Sequence, residues 1–254
     1  MPLQTRVIPV LLLHKEGLYK TKQFNKPIYV GDPINAVRIF NEKEVDEIVI
    51  IDIDATCENK EPDIAKIAEI GSEAFMPMAY GGGITKVSQI KEILYNGIEK
   101  IIINKAAHTN PSLITEAANL FGNQSVVVSI DVKKTFLKGY KVFTDNGKKN
   151  TGLSPVEFAI QAQKLGAGEI LLNSIDKDGT FSGYDTLLIE QVSKALTIPL
   201  IALGGATTVQ DLSLARKAGA SALAAGSMFV FQRPHRAVLI SYPTRKELKK
   251  NGHE

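Results

Sequence analysis

The residues of this chain with chemistry to offer lie in a few short stretches. VVVSID ends on Asp131, a carboxylate that could give or take a proton at the end of an apolar run. Two glycine motifs, GGGI from Gly81 and GGAT from Gly204, would let backbone N–H groups approach an oxyanion, with a helix start behind each adding partial positive charge. Gly82 and Gly83 belong to the first, Gly204 and Gly205 to the second. Asn104 and Lys105, Asp52, Asp176 and Gly179 in NSIDKDGTFSG, and Gly226 and Ser227 in the AGS turn also follow apolar runs. Two separated glycine turns suit a ligand with a phosphate at each end; the plainer alternative is that they only make tight turns. His14, His108, His235 and His253 show no metal-ligand spacing, and Cys57 is the single cysteine. The sequence therefore implies no metal, no cofactor, no internal disulfide and a reducing compartment.

Eight apolar runs must position these groups: 6–12, 47–52, 74–80, 100–104, 126–131, 169–174, 199–204 and 221–227. They are rich in Val, Ile and Leu without strict alternation, as in strands buried on both faces. Helical patterns lie between them. Val87, Ile90, Ile93 and Leu94 share a face in a stretch ending at Gly97, and NPSLITEAANLFG carries Pro111 in its first turn and Gly122 at its end. Ser154 and Pro155 read as N-cap and first helical residue of a third. The alternation predicts an α/β fold, one single-domain (β/α)8 TIM barrel over 1–254; a doubly wound open sheet is the rival, with fewer strands and one glycine-rich switch point. The chain also reads as two related half-barrels, about 1–122 and 123–254. In that repeat Gly82 pairs with Gly205, Asp52 with Asp176, and Asp131 with Leu12. The second half keeps a carboxylate at its first strand end; the first half has leucine.

Composition excludes several classes. The net charge of +3 in 254 residues is too small to argue for nucleic acid, and much of it lies in TRKELKKNG, which reads as a solvated terminal helix. No apolar run reaches the ~18 residues of a membrane span, and the first is too short for a signal peptide, so the expected compartment is the cytoplasm. At the opposite rim, Arg6, Glu47, Lys100 and Glu169 each begin a predicted strand. On physics alone, two cations and two anions around the closed end of a barrel read as stabilising ion pairs.

From Arg6 to about Phe231 the sequence resembles the cyclase subunit of imidazole glycerol phosphate synthase. SIDVKK, FTDNGKKNTGLSP, LGAGEILLNSIDKDGTFSGYDTLLIEQV and the two glycine turns carry the resemblance. It implies a barrel that receives ammonia from a glutaminase docked at its bottom and passes it to a bisphosphorylated substrate at the top. It makes Arg6, Glu47, Lys100 and Glu169 an ammonia gate, reversing the purely structural reading of that ring. It assigns phosphate binding to Gly82, Asn104, Asp176, Gly179, Gly204, Gly205, Gly226 and Ser227, a mobile-loop lysine to Lys20, and one catalytic aspartate to Asp131.

The departures cluster at the top. The other catalytic aspartate falls on Leu12; Lys105 replaces a small hydroxyl residue, Leu203 a serine, and Asn173 a threonine. The tail FQRPHRAVLISYPTRKELKK resembles a divergent glycosyl amidation-associated branch, which works with a glutaminase-like protein and an ATP-dependent sugar amidotransferase on surface polysaccharides. Three readings follow. The chain is an ammonia-using synthase subunit specialised away from histidine synthesis, a working cyclase that tolerates Leu12, or a silent scaffold that activates a glutaminase. None involves nucleic acid or membrane.

Overall fold

The structure is a computed structural model and describes residues 5–136, 138–232 and 234–250. Eight parallel strands close into a barrel: β1 (Arg6–His14), β2 (Ile48–Asp52), β3 (Met78–Gly81), β4 (Lys100–Ile103), β5 (Val126–Thr135), β6 (Glu169–Ser174), β7 (Leu200–Leu203) and β8 (Ala222–Ala225). Each pairs with its sequence neighbours, and β8 closes on β1. The outer layer contains α1 (Pro33–Glu42), α2 (Ile64–Ser72), α3 (Val87–Tyr95), α4 (Ser112–Phe121), α5 (Pro155–Lys164), α6 (Thr186–Ser193), α7 (Val209–Lys217) and the terminal α8 (Arg245–Lys250).

Strand alternation divides the core in two. Val7, Leu11, Ile48, Ile50, Ile101 and Val128 face outward and pack under the helices. Ile8, Val10, Val49, Ala79, Ile102, Val127, Leu171, Ile201, Leu203, Ala222 and Ala224 face inward and fill the lumen, with Leu12 and Ile51 packed against them. This explains the unbroken apolar runs: in a barrel sheathed by helices both faces of a strand are dry. The same alternation puts Arg6 in one inward row with Ile8, Val10 and Leu12, so one strand runs from the bottom ring to the mouth.

Some local expectations are corrected. The third strand begins at Met78 rather than residue 74, since Phe75 is 90% exposed in the preceding loop. Beyond the barrel proper, β1 continues to His14 and turns back on a strand at Gly17–Lys22, which pairs with Asn25–Gly31. A second hairpin pairs β5 with Gly139–Thr144. Both are half-exposed lids, whose polar, lysine-containing sequences hid them among loop residues. Ser154 caps α5 by position, but its side chain makes no capping bond. The terminal helix docks through buried Leu248 instead of lying free in solvent; the last residues of TRKELKKNG, like His253, lie outside the described residues.

Candidate functional site

The carboxyl ends of the strands open onto a cavity of about 450 Å³. Asp131 lies at its floor on β5, and Leu12 lines the same cavity from β1, on the opposite side of the ring. Asp131 is held from both sides: Asn104 Nδ2 donates to Oδ2 at 3.0 Å, and Asn173 Nδ2 donates to Oδ1 at 3.1 Å. Asn104 also donates to Ser129 O at 3.1 Å, which fixes its amide. Burial pushes the Asp131 carboxyl up to about 7; the two amide donors pull the other way without reversing it. Its pKa thus falls in the range where a group can both give and take protons near neutrality.

The first glycine turn lines one side of this cavity. Gly82 has φ +134°, and a Cβ there would stand 2.7 Å from the Asp52 Cβ, so only glycine lets the turn close over β2. Asp52 itself accepts from Asp54 and Ala55 N–H groups at 2.8 and 3.0 Å, while burial raises its pKa. Asn104 and Lys105 stand across from this turn, at the start of a short helix, Lys105–Thr109. Lys105 Nζ is not a free cation: it pairs with Asp145 Oδ1 at 2.6 Å, and that pairing holds the Asp145 carboxyl below its usual range. Asp145 comes from the loop after the second hairpin, and its neighbour Asn146 donates to Ile53 O at 2.9 Å, so this loop crosses the mouth to β2.

The second turn bounds a smaller cavity of about 10 Å³ with Gly179, Gly204, Gly205, Gly226 and Ser227. Gly205 has φ +99°, and a Cβ would meet Gly183 O at 2.2 Å. The first hairpin is folded down here. Lys20 Nζ donates to Val10 O at 2.6 Å, and a Cβ on Gly226 would stand 2.0 Å from that nitrogen. Burial lowers the Lys20 pKa to about 8, while nearby Asp178 opposes the change. Asp178 accepts from Thr21 Oγ1 at 3.0 Å. Asp178 is therefore the acid of the DKD loop that faces the mouth. Asp176 is not brought in: its Oδ2 accepts from Lys134 N–H at 2.7 Å, outside both cavities.

At the other end, the four predicted charges form a closed ring. Arg6 donates to Glu47 and, at 2.6 Å, to Glu169; Lys100 reaches Glu47 at 3.1 Å and Glu169 at 3.2 Å. Each cation bridges both glutamates. Burial opposes the Arg6 charge, but the two carboxylates more than offset it, and its pKa rises.

Residues 6–234 match the family model described as histidine biosynthesis protein. The chain belongs to this family. Among its relatives is "Putative imidazole glycerol phosphate synthase subunit hisF2" of Pseudomonas aeruginosa, 51% identical over 244 residues that cover 96% of this chain and 97% of the relative. "Putative imidazole glycerol phosphate synthase subunit HisF" of Leptospira interrogans is 49% identical over 247 residues, covering 96% and 97%. A third, named subunit hisF3 of the same synthase in Vibrio vulnificus, is 47% identical over 250 residues, covering 98% and 96%. The family member described here thus has the fold of a synthase subunit of this type. Among its described residues no helix is long and apolar enough to cross a membrane, and no group of His, Cys, Asp and Glu is placed to hold a metal ion.

Sequence reasoning singled out Asp131, Asn104, Lys105, Gly82, Gly83 and Lys20, which line the larger cavity, Gly179, Gly204, Gly205 and Ser227, which line the smaller, and Gly226, which lines both. It missed Asp178, Asp145 and the amide of Asn173 as a partner of Asp131. Strand parity could have found Asn173, since it follows Glu169 and Leu171 in the inward row of β6. No signal in the sequence picks Asp178 over Asp176.

Proposed function

We propose that this chain is the ammonia-using subunit of a glutamine amidotransferase complex whose acceptor chemistry has moved away from imidazole glycerol phosphate cyclisation. The observation that carries this reading is the contrast between the ring and the mouth. The Arg6–Glu47–Lys100–Glu169 ring is complete, whereas Leu12 places a hydrocarbon side chain opposite Asp131. Cyclisation to an imidazole moves protons at more than one atom, and one carboxylate on one side of the ligand is poorly placed to serve both.

A glutaminase partner fits the end that carries the ring. Phe75 follows α2, Tyr95 ends α3 and Leu120 lies in the last turn of α4; they are 90%, 78% and 65% exposed at the helix ends that share the ring's side of the barrel. The two glycine turns support a small phosphorylated ligand at the mouth. The divergent tail supports a place beside an ATP-dependent sugar amidotransferase, with the ammonia converting an acetamido group of a surface-polysaccharide sugar into an acetamidino group. This chemistry suits the cytoplasm, where nucleotide cofactors of such a partner are made.

The working-cyclase reading has one observation in its favour: Asp131 and both glycine turns persist. One experiment separates the two. The purified chain and Leu12→Asp are each given an ammonium salt and the bisphosphate substrate of the cyclases. The unmodified chain should show no turnover, and Leu12→Asp should gain a measurable rate, since a positioned acid or base contributes about 10²–10⁴-fold. Turnover by the unmodified chain at a rate ordinary for enzymes overturns the specialised reading and establishes the cyclase.

A further inference from the structure

Asn173 has a divided amide. Its nitrogen donates to Asp131 Oδ1 at 3.1 Å, but its oxygen is buried and has no hydrogen-bond partner among the described residues. The residue is only 7% exposed, so solvent does not satisfy that oxygen from the surface. A buried acceptor without a donor costs desolvation free energy that the fold does not recover by itself. The direction of the oxygen is known: a Cβ built on Gly204 would lie 3.3 Å from it. It therefore faces the end of β7 and the mouth of the barrel.

The surroundings restrict what can donate to it. Below Asn173, the inward row is Leu171 on β6, Ile201 on β7 and Ala224 on β8, all apolar. Asn104, Asp131 and Asn173 sit side by side on β4, β5 and β6 as the polar groups above that lumen. Leu203 stands at the same level on β7. The open valences here are acceptors, a carboxylate and an amide oxygen, so an anion is disfavoured. A species with several hydrogens to donate is favoured, and a small one suits a site bounded below by apolar side chains. The charged group that acts on Asp131 is Asp178, which in turn interacts with Lys20.

We propose that Asn173 Oδ1 and the Asp131 carboxylate form the receiving site for ammonia, or its ammonium form, where the apolar lumen meets the mouth. This rests on the ammonia-using reading above and assigns it a position. Asn173 has two tasks in this site. Its nitrogen orients the carboxylate, and its oxygen accepts an N–H from the arriving nucleophile. A hydroxyl side chain, as the cyclases have here, is shorter and offers donor and acceptor from a single atom, whereas the amide separates them.

The test uses the whole chain and ammonium itself as probe. The Asp131 carboxyl resonance is followed by NMR with carbon-13 aspartate and assigned with Asp131→Asn. Ammonium chloride is titrated in, and tetramethylammonium chloride at equal ionic strength serves as a cation with no N–H. Ammonium should shift the resonance saturably and tetramethylammonium should not. Asn173→Leu should weaken the ammonium midpoint by roughly tenfold, the effect of losing one hydrogen bond to a charged donor. Where Asn173→Leu does not fold, as judged by circular dichroism, Asn173→Ala gives the same comparison. The proposal is overturned if the two cations act alike on the unmodified chain, or if the variant keeps the unmodified midpoint. Either failure leaves the gate and the Leu12 experiment untouched, so it is distinguishable from failure of the ammonia-using reading.

Discussion

The bottom and the mouth of the barrel are built by the same rule and come out differently. Both take their residues from inward-facing strand positions. At the bottom, Arg6, Glu47, Lys100 and Glu169 alternate in sign and satisfy one another completely. At the mouth, Asn104, Asp131 and Asn173 at the ends of β4 to β6 face Leu12 and Ile51 on β1 and β2, with Leu203 beside them, while Lys20, Asp52 and Asp178 line other parts of the same cavity. A neutralised ring can be kept unchanged whatever is made above it. The mouth instead sets the Asp131 carboxyl opposite a hydrocarbon side chain, Leu12. On the reading proposed above, ammonia handling and acceptor chemistry are separable in this fold, and the chain has altered only the second.

The contrast can be broken hardest at the ring. Lys100→Ala leaves Glu47 and Glu169 facing each other with only Arg6 between them. Removing one partner of a largely buried pair costs roughly 3–5 kcal/mol, which urea denaturation should register. In the assembled complex with a glutaminase, the same variant should change glutamine-dependent activity. Unchanged stability and unchanged activity together would show that the ring is neither gate nor staple.

The mouth gives a smaller effect, and one that depends on pH. Asp131 titrates near 7 in the folded chain, against about 3.9 when unfolded. Between these values the folded state holds a proton that the unfolded chain has released. The stabilisation is therefore complete below about pH 4 and is lost as pH rises through 7. Asp131→Asn removes that loss, so its stability relative to the unmodified chain should improve by on the order of 3 kcal/mol between pH 4 and pH 8. A flat difference across that range would mean that Asp131 is better hydrated than its burial indicates.

Smallest of all is Lys105→Ala. The half-exposed pair with Asp145 should contribute at most about 1 kcal/mol to stability. With Asp145 already neutralising Lys105, phosphate affinity at the first glycine turn should depend on ionic strength almost equally in the variant and the unmodified chain. Isothermal titration with inorganic phosphate at two salt concentrations decides it.

How much of this was readable beforehand follows from the physics of each part. Runs such as EIVIID and KIIIN announce barrel strands because both faces are buried, and the charges that start them mark the bottom rim. The hairpins were obscured because the lysines of GLYKTK and GYKVFT look like loop residues, although Lys20 is buried in the first and Val142 in the second. Asp131 was identified from its place at a strand end. Its amide partners depend on which side chains meet across β4, β5 and β6, which parity suggests and only coordinates fix. In SIDKDG, two acids compete for one inward direction, and the turn from Ile175 to Thr180 gives it to Asp178. Sequence spacing carries no information about that choice.

Lys20 has one more consequence. Folding its hairpin down buries an ammonium group against Val10 O and lowers its pKa to about 8. An anion seated beside Gly226 would offset that desolvation. Hairpin closure and anion capture are then linked functions: whatever factor closure adds to the anion's affinity, the anion returns to the population of the closed hairpin. An anion at the second glycine turn would thus be reported thermodynamically by the position of the lid.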